Sequence, residues 1–398
     1  MKVVAVIAEY NPFHLGHKHH LEEIRRTFGE DTAIVILLSG NFVQRGDLSI
    51  FDKYTRAEAA IRNGADLVLE LPYPYSCANA EAYADSAVHI LKALGFVDIL
   101  SFGSECGDIC ALQEAAERMR SATFKEAFQS AVQEQRGIGH AALCEDIYRK
   151  LYGDASLLTS PNNTLALEYL MAIERHGMPF SAHTVLREGN YHTGKGKYPS
   201  ASAIRELILA ENAEEFRPLI PADAFLVFQK AMEQGAAPVS LSSLSRAAIT
   251  ALTLYPPRLP EIIADGEGGL GNRILSALGD SLSLEELALR AKTPKYTHAR
   301  IRRAILHLLF GTTKEDMNTP PAFTQLLAIN ATGRLLLKNI KHSTGISLLT
   351  KPADLSLLPE EAARQAGAAH RADSVYLLSL PAPQASLHPL RRTPYCEK

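Results

Sequence analysis

Short apolar runs alternate with amphipathic stretches through the first half of the chain. Val3–Ile7, Ala33–Leu38, Leu67–Leu71 and Ile99–Phe102 read as buried strands, and His183–Leu186 as a fifth. Helical spacing fills the intervals around 17–28, 53–63, 79–95, 108–135 and 162–176. Strands apolar on both faces, separated by helices, predict an α/β fold with a doubly wound, Rossmann-like parallel sheet. Ligands in such sheets sit outside the carboxyl ends of the strands, so the turns at 8–17, 39–47, 72–79 and 103–107 are the candidate site loops. From about residue 215 apolar strands vanish. Leu, Ala, Ser and charged residues then recur at helical spacing, broken by Pro256-Pro257, the glycine cluster at 266–271 and Pro320-Pro321. The expected organisation is a catalytic domain over 1–215, a mainly α-helical domain over 216–385 with a loop at Gly235–Val239, and a weakly structured, proline-rich tail over 386–398.

Composition narrows the class. The chain has 398 residues, 46% hydrophobic and 21% charged, as in an ordinary globular protein. No apolar run reaches the length of a membrane span, and strand residues begin at Val3 without a secretory cleavage pattern. The five cysteines (77, 106, 110, 144, 396) are odd in number and form no CxxC pair, so a reduced, cytosolic setting is expected. Cys106 and Cys110 lack a second metal-ligand pair. The net charge of −3 excludes a basic coat for nucleic acid, but a local basic stripe is enough to bind RNA.

The chemistry concentrates at the first turn. His14-Leu15-Gly16-His17 follows the first strand and opens a helix, where unpaired backbone N–H groups converge on an anion. Gly16 allows close approach of a phosphate, and His14 and His17 share a helix face. Two imidazoles aimed at a phosphate can stabilise charge that develops in nucleotidyl transfer. A zinc pair would need further ligands of suitable spacing. A second element is Ser200-Ala201-Ser202-Ala203-Ile204-Arg205, where Ser200 caps a helix and Arg205 can meet a β- or γ-phosphate with a planar fork. A plain helix cap with a solvated arginine explains the same residues. Gly194-Lys195-Gly196-Lys197 is either a phosphate-covering loop or a solvated one. Ser160-Pro161-Asn162-Asn163-Thr164 places amides at a helix start, for capping or for a ribose or adenine contact. Lys53 and Arg56 share a helix face that reads as solvated or as a phosphate or RNA contact. In the second half, Lys292, Lys295, Tyr296, Arg300, Arg302 and Arg303 form a cationic run with an aromatic and no acid, suited to RNA phosphates and an unpaired base. Lys338, Lys341 and His342 form a smaller cluster.

The segments AEYNPFHLGH, SGNFVQRGD, GADLVLELPYPYSCANAEAYADSAV, FGSECGD, SPNNTLALEYL, REGNYH and SASAIRE, with TPKYTHARIRRAILHLLFG further on, closely resemble the tRNA-Met cytidine acetate ligase family. That family belongs to the nucleotidyltransferase superfamily with the His-x-Gly-His signature. The resemblance implies a nucleotidyltransferase-type sheet and a two-step reaction. ATP and acetate give acetyl-adenylate and pyrophosphate, and acetyl passes to the exocyclic amine of the wobble cytidine of elongator tRNA-Met. It implies catalytic roles for His14, His17 and Arg205. It also implies an ATP site formed by Ile7, Ala8, Glu9, Tyr10, Asn11, Pro12, Phe13, His14, Leu15, Gly16, His17, Lys18, His19 and His20, with Gly103, Asn162, Asn163, Arg187, Ser200 and Ser202. Ala201 and Ser202 replace hydroxyl residues of the usual pattern, which alters the hydroxyl contacts. The loop Ser39–Gly46 mixes amides with apolar groups, and acetate is expected at Gly40 and Asn41. Mg2+ is expected on ATP oxygens and water, since no carboxylate cage is visible and no protein metal ligand is assigned. The residues alone leave three other readings open: AMP transfer to a phosphorylated metabolite, acetyl delivery to a protein thiol, and an RNA-binding module on a degenerate nucleotide fold.

Overall fold

The computed structural model describes residues 1–134, 139–177, 180–187, 200–340 and 345–397. The lysine-glycine stretch at 194–197, and Lys341 and His342, lie outside the described residues.

The strands are β1 (Val3–Ala8), β2 (Ala33–Ser39), β3 (Phe42–Val43), β4 (Asp47–Leu48), β5 (Leu67–Leu71), β6 (Ile99–Ser104), β7 (Ser181–Leu186), β8 (Phe323–Ile329), β9 (Ser347–Leu349) and β10 (Tyr395–Cys396). The main sheet runs β10-β8-β5-β2-β1-β6-β7, with β9 paired to β8, while β3 and β4 form a separate hairpin. All five strands predicted in the first half are present and pair in parallel. The chain builds β2 and β5 on one side of β1, then crosses to β6 and β7 on the other. The strand order therefore reverses between β1 and β6, and a crevice opens there at the carboxyl edge.

Side chains alternate across the sheet as the pleat requires. Val3, Ala5 and Ile7 enter one apolar core, and Val4 and Val6 the other. The first core is covered by α3 (Ala80–Leu94), α4 (Ile109–Arg120), α5 (Ala122–Glu134), α6 (His140–Tyr152) and α7 (Pro161–Arg175). The second is covered by α1 (Leu15–Phe28), α2 (Lys53–Ile61), α8 (Ala201–Leu209) and α10 (Ala222–Glu233), with α9 (Ala213–Phe216) between the last two. The helix expected over 108–135 is broken at Ser121, whose hydroxyl donates to Arg118 C=O and accepts from Phe124 N–H.

The second half packs α11 (Leu241–Leu254), α12 (Leu270–Ala277), α13 (Leu284–Ala291) and α14 (His298–Phe310) around a third core. Phe42, Leu48, Tyr73 and Cys77 from the sheet's site loops enter that core. α15 (Lys314–Asn318), α16 (Ala331–Ile340) and α17 (Glu360–Leu378) follow.

Two sequence expectations are corrected here. Apolar strands do not vanish after residue 215: β8 is wholly buried and pairs antiparallel to β5. The tail over 386–398 is not without regular structure, because β10 adds to β8 in parallel. The reason is a sheet edge whose backbone groups need partners: β8 covers the edge of β5, and β10 covers the edge of β8 in turn.

Lys53 and Arg56 are also corrected. They are neither solvated nor available to RNA, being 1% and 0% exposed. Lys53 Nζ donates to both oxygens of Glu70 at 2.8 and 2.7 Å and to Asp373 Oδ2 at 2.6 Å. With two carboxylates around one ammonium, burial pushes the Glu70 carboxyl up to about 7. Arg56 donates to the carbonyl oxygens of Phe51, Glu9 and Gly40. Lys53→Met leaves Glu70 and Asp373 buried without their cation and should cost about 3–5 kcal/mol. Chemical denaturation checks this, and a loss below about 1 kcal/mol, the value of a surface pair, would contradict it.

Candidate active site

β1 ends at the crevice, and the chain turns through Glu9–Phe13 into α1. Tyr10, in this turn, has φ of +45°, a left-handed conformation uncommon for a side chain of its size. It is held by packing, with Tyr10 against Phe13 at 4.8 Å and against His17 at 4.7 Å between ring centroids. His14 caps α1. Its Nδ1 accepts the Gly16 N–H at 3.0 Å, and its own backbone N–H donates to His17 Nδ1 at 3.2 Å. These two bonds fix the chemistry. Each ring uses Nδ1 as an acceptor, so each neutral ring carries its proton on Nε2. The rings lie side by side, 3.8 Å between centroids. His14 Nε2 is buried with no hydrogen-bond partner among the described residues. A buried N–H without an acceptor is costly, and a phosphate oxygen at this helix start would satisfy it.

Burial lowers the His14 pKa to about 3 and pushes His17 well below its ordinary value. The pair is thus two neutral N–H donors at physiological pH. His20, one turn further along α1, is also lowered to about 3 by burial, and its Nε2 meets Ser101 Oγ at 2.9 Å. Ser101 Oγ in turn meets His183 Nδ1 at 3.0 Å.

α8 brings the second element to the same turn. Ser200 Oγ accepts the Ala203 N–H, and Arg205 donates to Asn11 C=O at 2.8 Å and to Ser202 Oγ at 3.1 Å. A guanidinium has five N–H donors, so others remain for an anion beside the histidines. Across the crevice, β6 ends at Gly103. A Cβ on Gly103 would lie 2.9 Å from Arg187 Cγ, so the glycine is what lets Arg187 lie over the strand end. Arg187 Nη1 donates to Asn162 Oδ1 at 3.2 Å.

The start of α7 is occupied by a protein carboxylate. Glu105 accepts from the N–H groups of Asn162 and Asn163 at 3.2 and 2.8 Å and from Asn162 Nδ2 at 2.6 Å. In return Asn163 Oδ1 accepts from the N–H groups of Glu105 and Cys106. Asn162 therefore faces Arg187, whereas Asn163 is a buried clamp on the loop after β6. Sequence reasoning missed Glu105, although it lies inside the segment FGSECGD.

A model of the HIGH nucleotidyl transferase family matches residues 1–388. The tRNA(Met) cytidine acetate ligase of Thermoanaerobacter pseudethanolicus is 34% identical over 361 residues, covering 88% of this chain and 89% of that one. The tRNA(Met) cytidine acetate ligase of Acetivibrio thermocellus is 33% identical over 372 residues, covering 89% of each. The crystal structure of Thermotoga maritima TmcAL bound with alpha-thio ATP matches with a TM-score of 0.91 at 26% identity, over 100% of this chain and 99% of that chain. The chain belongs to the tRNA(Met) cytidine acetate ligase family of HIGH nucleotidyl transferases.

Against the family expectation, the span Ile7–His20 divides. Ile7, Tyr10, Asn11, Pro12, Phe13 and His14 are buried. Ile7 and Phe13 face the cores and can serve a nucleotide only by placing backbone. Lys18 lies 4.0 Å from Glu22. At Gly40 and Asn41, where acetate is expected, the polar groups already have partners within the protein. Asn41 Nδ2 donates to Asp373 and its Oδ1 accepts the Lys53 N–H. A Cβ on Gly40 would meet Glu70 Oε1 at 2.8 Å, so this wall is filled.

The basic run is partly turned inward. Tyr296 and Arg303 are 5% and 6% exposed, so neither is the RNA contact expected. Arg303 pairs with Asp265 at 2.8 Å, and Arg300 lies 3.8 Å from Asp265 and 3.4 Å from Glu267. The acids absent from the run itself come from 265–267. Lys292 and Lys295 remain exposed and Arg302 half-buried. Among the described residues, no group of three or more His, Cys, Asp or Glu could hold a metal ion, and no helix is long and apolar enough to cross a membrane.

Because burial lowers its pKa, the His14 ring stays neutral where a free histidine takes a proton near pH 6.5. The unfolded chain binds that proton first, so this group makes stability fall as pH drops from about 6.5 toward 3. Nitrogen-15 NMR of labelled histidine should show His14 as the Nε2–H tautomer with no titration from pH 8 to 5. A midpoint near 6.5 would contradict the assignment.

Proposed function

We propose that the protein activates acetate as acetyl-adenylate at the β1/β6 crevice and transfers acetyl to the exocyclic amine of the wobble cytidine of elongator tRNA-Met, forming N4-acetylcytidine. It is an ATP-dependent ligase of carbon–nitrogen bond formation. The carrying observation is the neutral, donor-only pair His14–His17 beside Arg205, at the point where the strand order reverses.

An acetate oxygen attacks the ATP α-phosphorus in line, and the bond to pyrophosphate breaks. Negative charge builds on the non-bridging oxygens, where the two Nε2–H groups donate. Fixed donors in a water-poor site are worth more there than in water and need no reorganisation. Arg205 holds the leaving pyrophosphate through its remaining donors, a role supported by its bonds to Asn11 C=O in the same turn and to Ser202. A magnesium ion bound with ATP would supply neutralisation of phosphate charge, and no residue of the chain is assigned to hold it. In the second step cytidine N4 attacks the acetyl carbon, the bond to AMP breaks, and the amine proton passes to the departing AMP phosphate or to water. His14 and His17 cannot take that proton, because both Nδ1 lone pairs are already engaged. The exposed cations Lys292 and Lys295, with the half-buried Arg302, support a tRNA-binding role for the helical region after residue 216. A cytoplasmic setting suits ATP and tRNA as substrates.

His17→Ala should lower acetate-dependent ATP–pyrophosphate exchange by about 100-fold or more, the usual cost of removing one transition-state donor. The far-ultraviolet spectrum and melting curve establish that the variant is folded. Near-wild-type exchange in the folded variant defeats the adenylation reading.

Lys295→Glu with Arg302→Glu should weaken tRNA binding and lower its log–log salt slope by about 0.7 for each phosphate these side chains neutralise. Filter binding across a salt series measures both. Unaltered affinity and slope would remove RNA from this face.

A further inference from the structure

The turn between β1 and α1 holds a strained residue whose side-chain hydroxyl has no partner. Tyr10 has φ of +45°, a conformation that costs free energy in any residue with a Cβ. It persists because both neighbours are held twice. The Glu9 carboxylate accepts the Gln44 N–H at 3.0 Å, and Glu9 C=O accepts from Arg56. Asn11 Oδ1 accepts the Ile50 N–H at 2.8 Å, and Asn11 C=O accepts from Arg205 at 2.8 Å. Glycine or asparagine would take this backbone at less cost, so it is the side chain that the position needs.

That side chain is a ring and a hydroxyl. The ring meets Phe13 edge-on and tilts over His17. A phenylalanine ring would make the same contacts. The hydroxyl makes none: Tyr10 is 2% exposed, and its Oη has no hydrogen-bond partner among the described residues. Buried polar groups are nearly always paired, because an orphan forfeits its hydration for nothing. His14 Nε2 is the other unpaired buried atom of this turn among the described residues. The His17 ring stands between them, 4.7 Å from the Tyr10 ring and 3.8 Å from that of His14.

Adenylation brings two anions to this place. The phosphates of ATP have donors in the two histidines and Arg205. Acetate has none at Gly40 and Asn41, whose polar groups are engaged within the protein. A carboxylate that leaves water needs a hydrogen-bond donor, and a phenol supplies one. Burial pushes the Tyr10 pKa up, so the hydroxyl keeps its proton. The apolar side chains packed around Tyr10, Phe13 foremost, suit a methyl group.

We propose that the Tyr10 hydroxyl binds acetate, donating to one carboxylate oxygen and leaving the other to attack the α-phosphorus beside His14 and His17. This rests on the reading that the protein forms acetyl-adenylate. Within a span expected to hold ATP, this hydroxyl serves the second substrate. The strained turn is what brings the phenol next to the histidine pair.

The test is ATP–pyrophosphate exchange by the full-length protein without RNA, with acetate varied at saturating ATP and ATP varied at saturating acetate. Tyr10→Phe removes one oxygen and keeps the ring. It should raise the half-saturating acetate concentration about tenfold, the value of one hydrogen bond to a charged group, and shift that for ATP by less than about twofold. The variant should melt no earlier than wild type, since the lost group was unpaired. Half-saturation by acetate within about twofold of wild type overturns the proposal and leaves adenylation intact. An equal rise for ATP overturns it too, and gives the hydroxyl to the nucleotide. Earlier melting reveals a partner for the hydroxyl inside the fold and likewise overturns it. Exchange by the wild type that does not depend on acetate defeats the adenylation reading itself, and this proposal with it.

Discussion

Two cations buried at the start of α2 fix the edge of the sheet on which the site is built. The ends of parallel strands leave carbonyl groups without ladder partners. Arg56 supplies donors to two of these ends at once, Glu9 after β1 and Gly40 after β2. Lys53 reaches further, to Glu70 on β5, Gln325 on β8 and Asp373 on α17. Apolar packing could not set the relative heights of these loops, because it is non-directional. A guanidinium fork and an ammonium with satisfied acceptors can, since breaking any of these bonds strands a buried polar group at about 1–3 kcal/mol. The catalytic turn, the hairpin and the C-terminal helix therefore have one common reference point.

This arrangement explains what the sequence hid. The parallel strands and the histidine turn are local signals, and both are legible in the pattern of residues. Lys53 is not, because its partners are 17, 272 and 320 positions away. β8 is hidden for a related reason. Its apolar run is interrupted by Thr324 and Gln325, which read as surface residues. In the fold the Thr324 hydroxyl donates to Glu70 C=O, and Gln325 donates to Tyr54 and accepts from Lys53. The polar residues that disguise the strand are the ones that meet the buried charges. β10, only two residues long, has no periodicity to find.

The site shows the same division. His14, Gly16 and His17 are recognisable because one short segment supplies the strand end, the cap and both rings. Asn162 and Asn163 look equivalent in the chain, and only the position of Glu105 separates them. The carboxylate satisfies the α7 N-terminus, which leaves that helix start unsuited to a phosphate. By the same logic the start of α1, capped by an uncharged imidazole, stays open to an anion. The charge of the capping group thus separates the two helix N-termini as places for an anion, and capping groups brought in from distant residues are not visible in sequence.

On the proposed reading, charge on α14 bears on how the second substrate meets the first. A run of cations without neighbouring acids suggests a uniform binding face, yet Asp265 and Glu267 pair with two of its three arginines, Arg300 and Arg303, and fix their direction. Those ion pairs weld α14 to the loop before α12, and Arg303 extends the weld to Gln44 and so to Glu9. A polyanion bound to the remaining exposed cations would meet a surface already in register with the catalytic turn. The inward arginines leave fewer cations for an anion, but they hold the other cations at a fixed distance from the turn after β1. For an enzyme that must present one amine to one activated carbonyl, fixed distance matters more than added affinity, because misplacement by about 1 Å can cost on the order of 100-fold in rate.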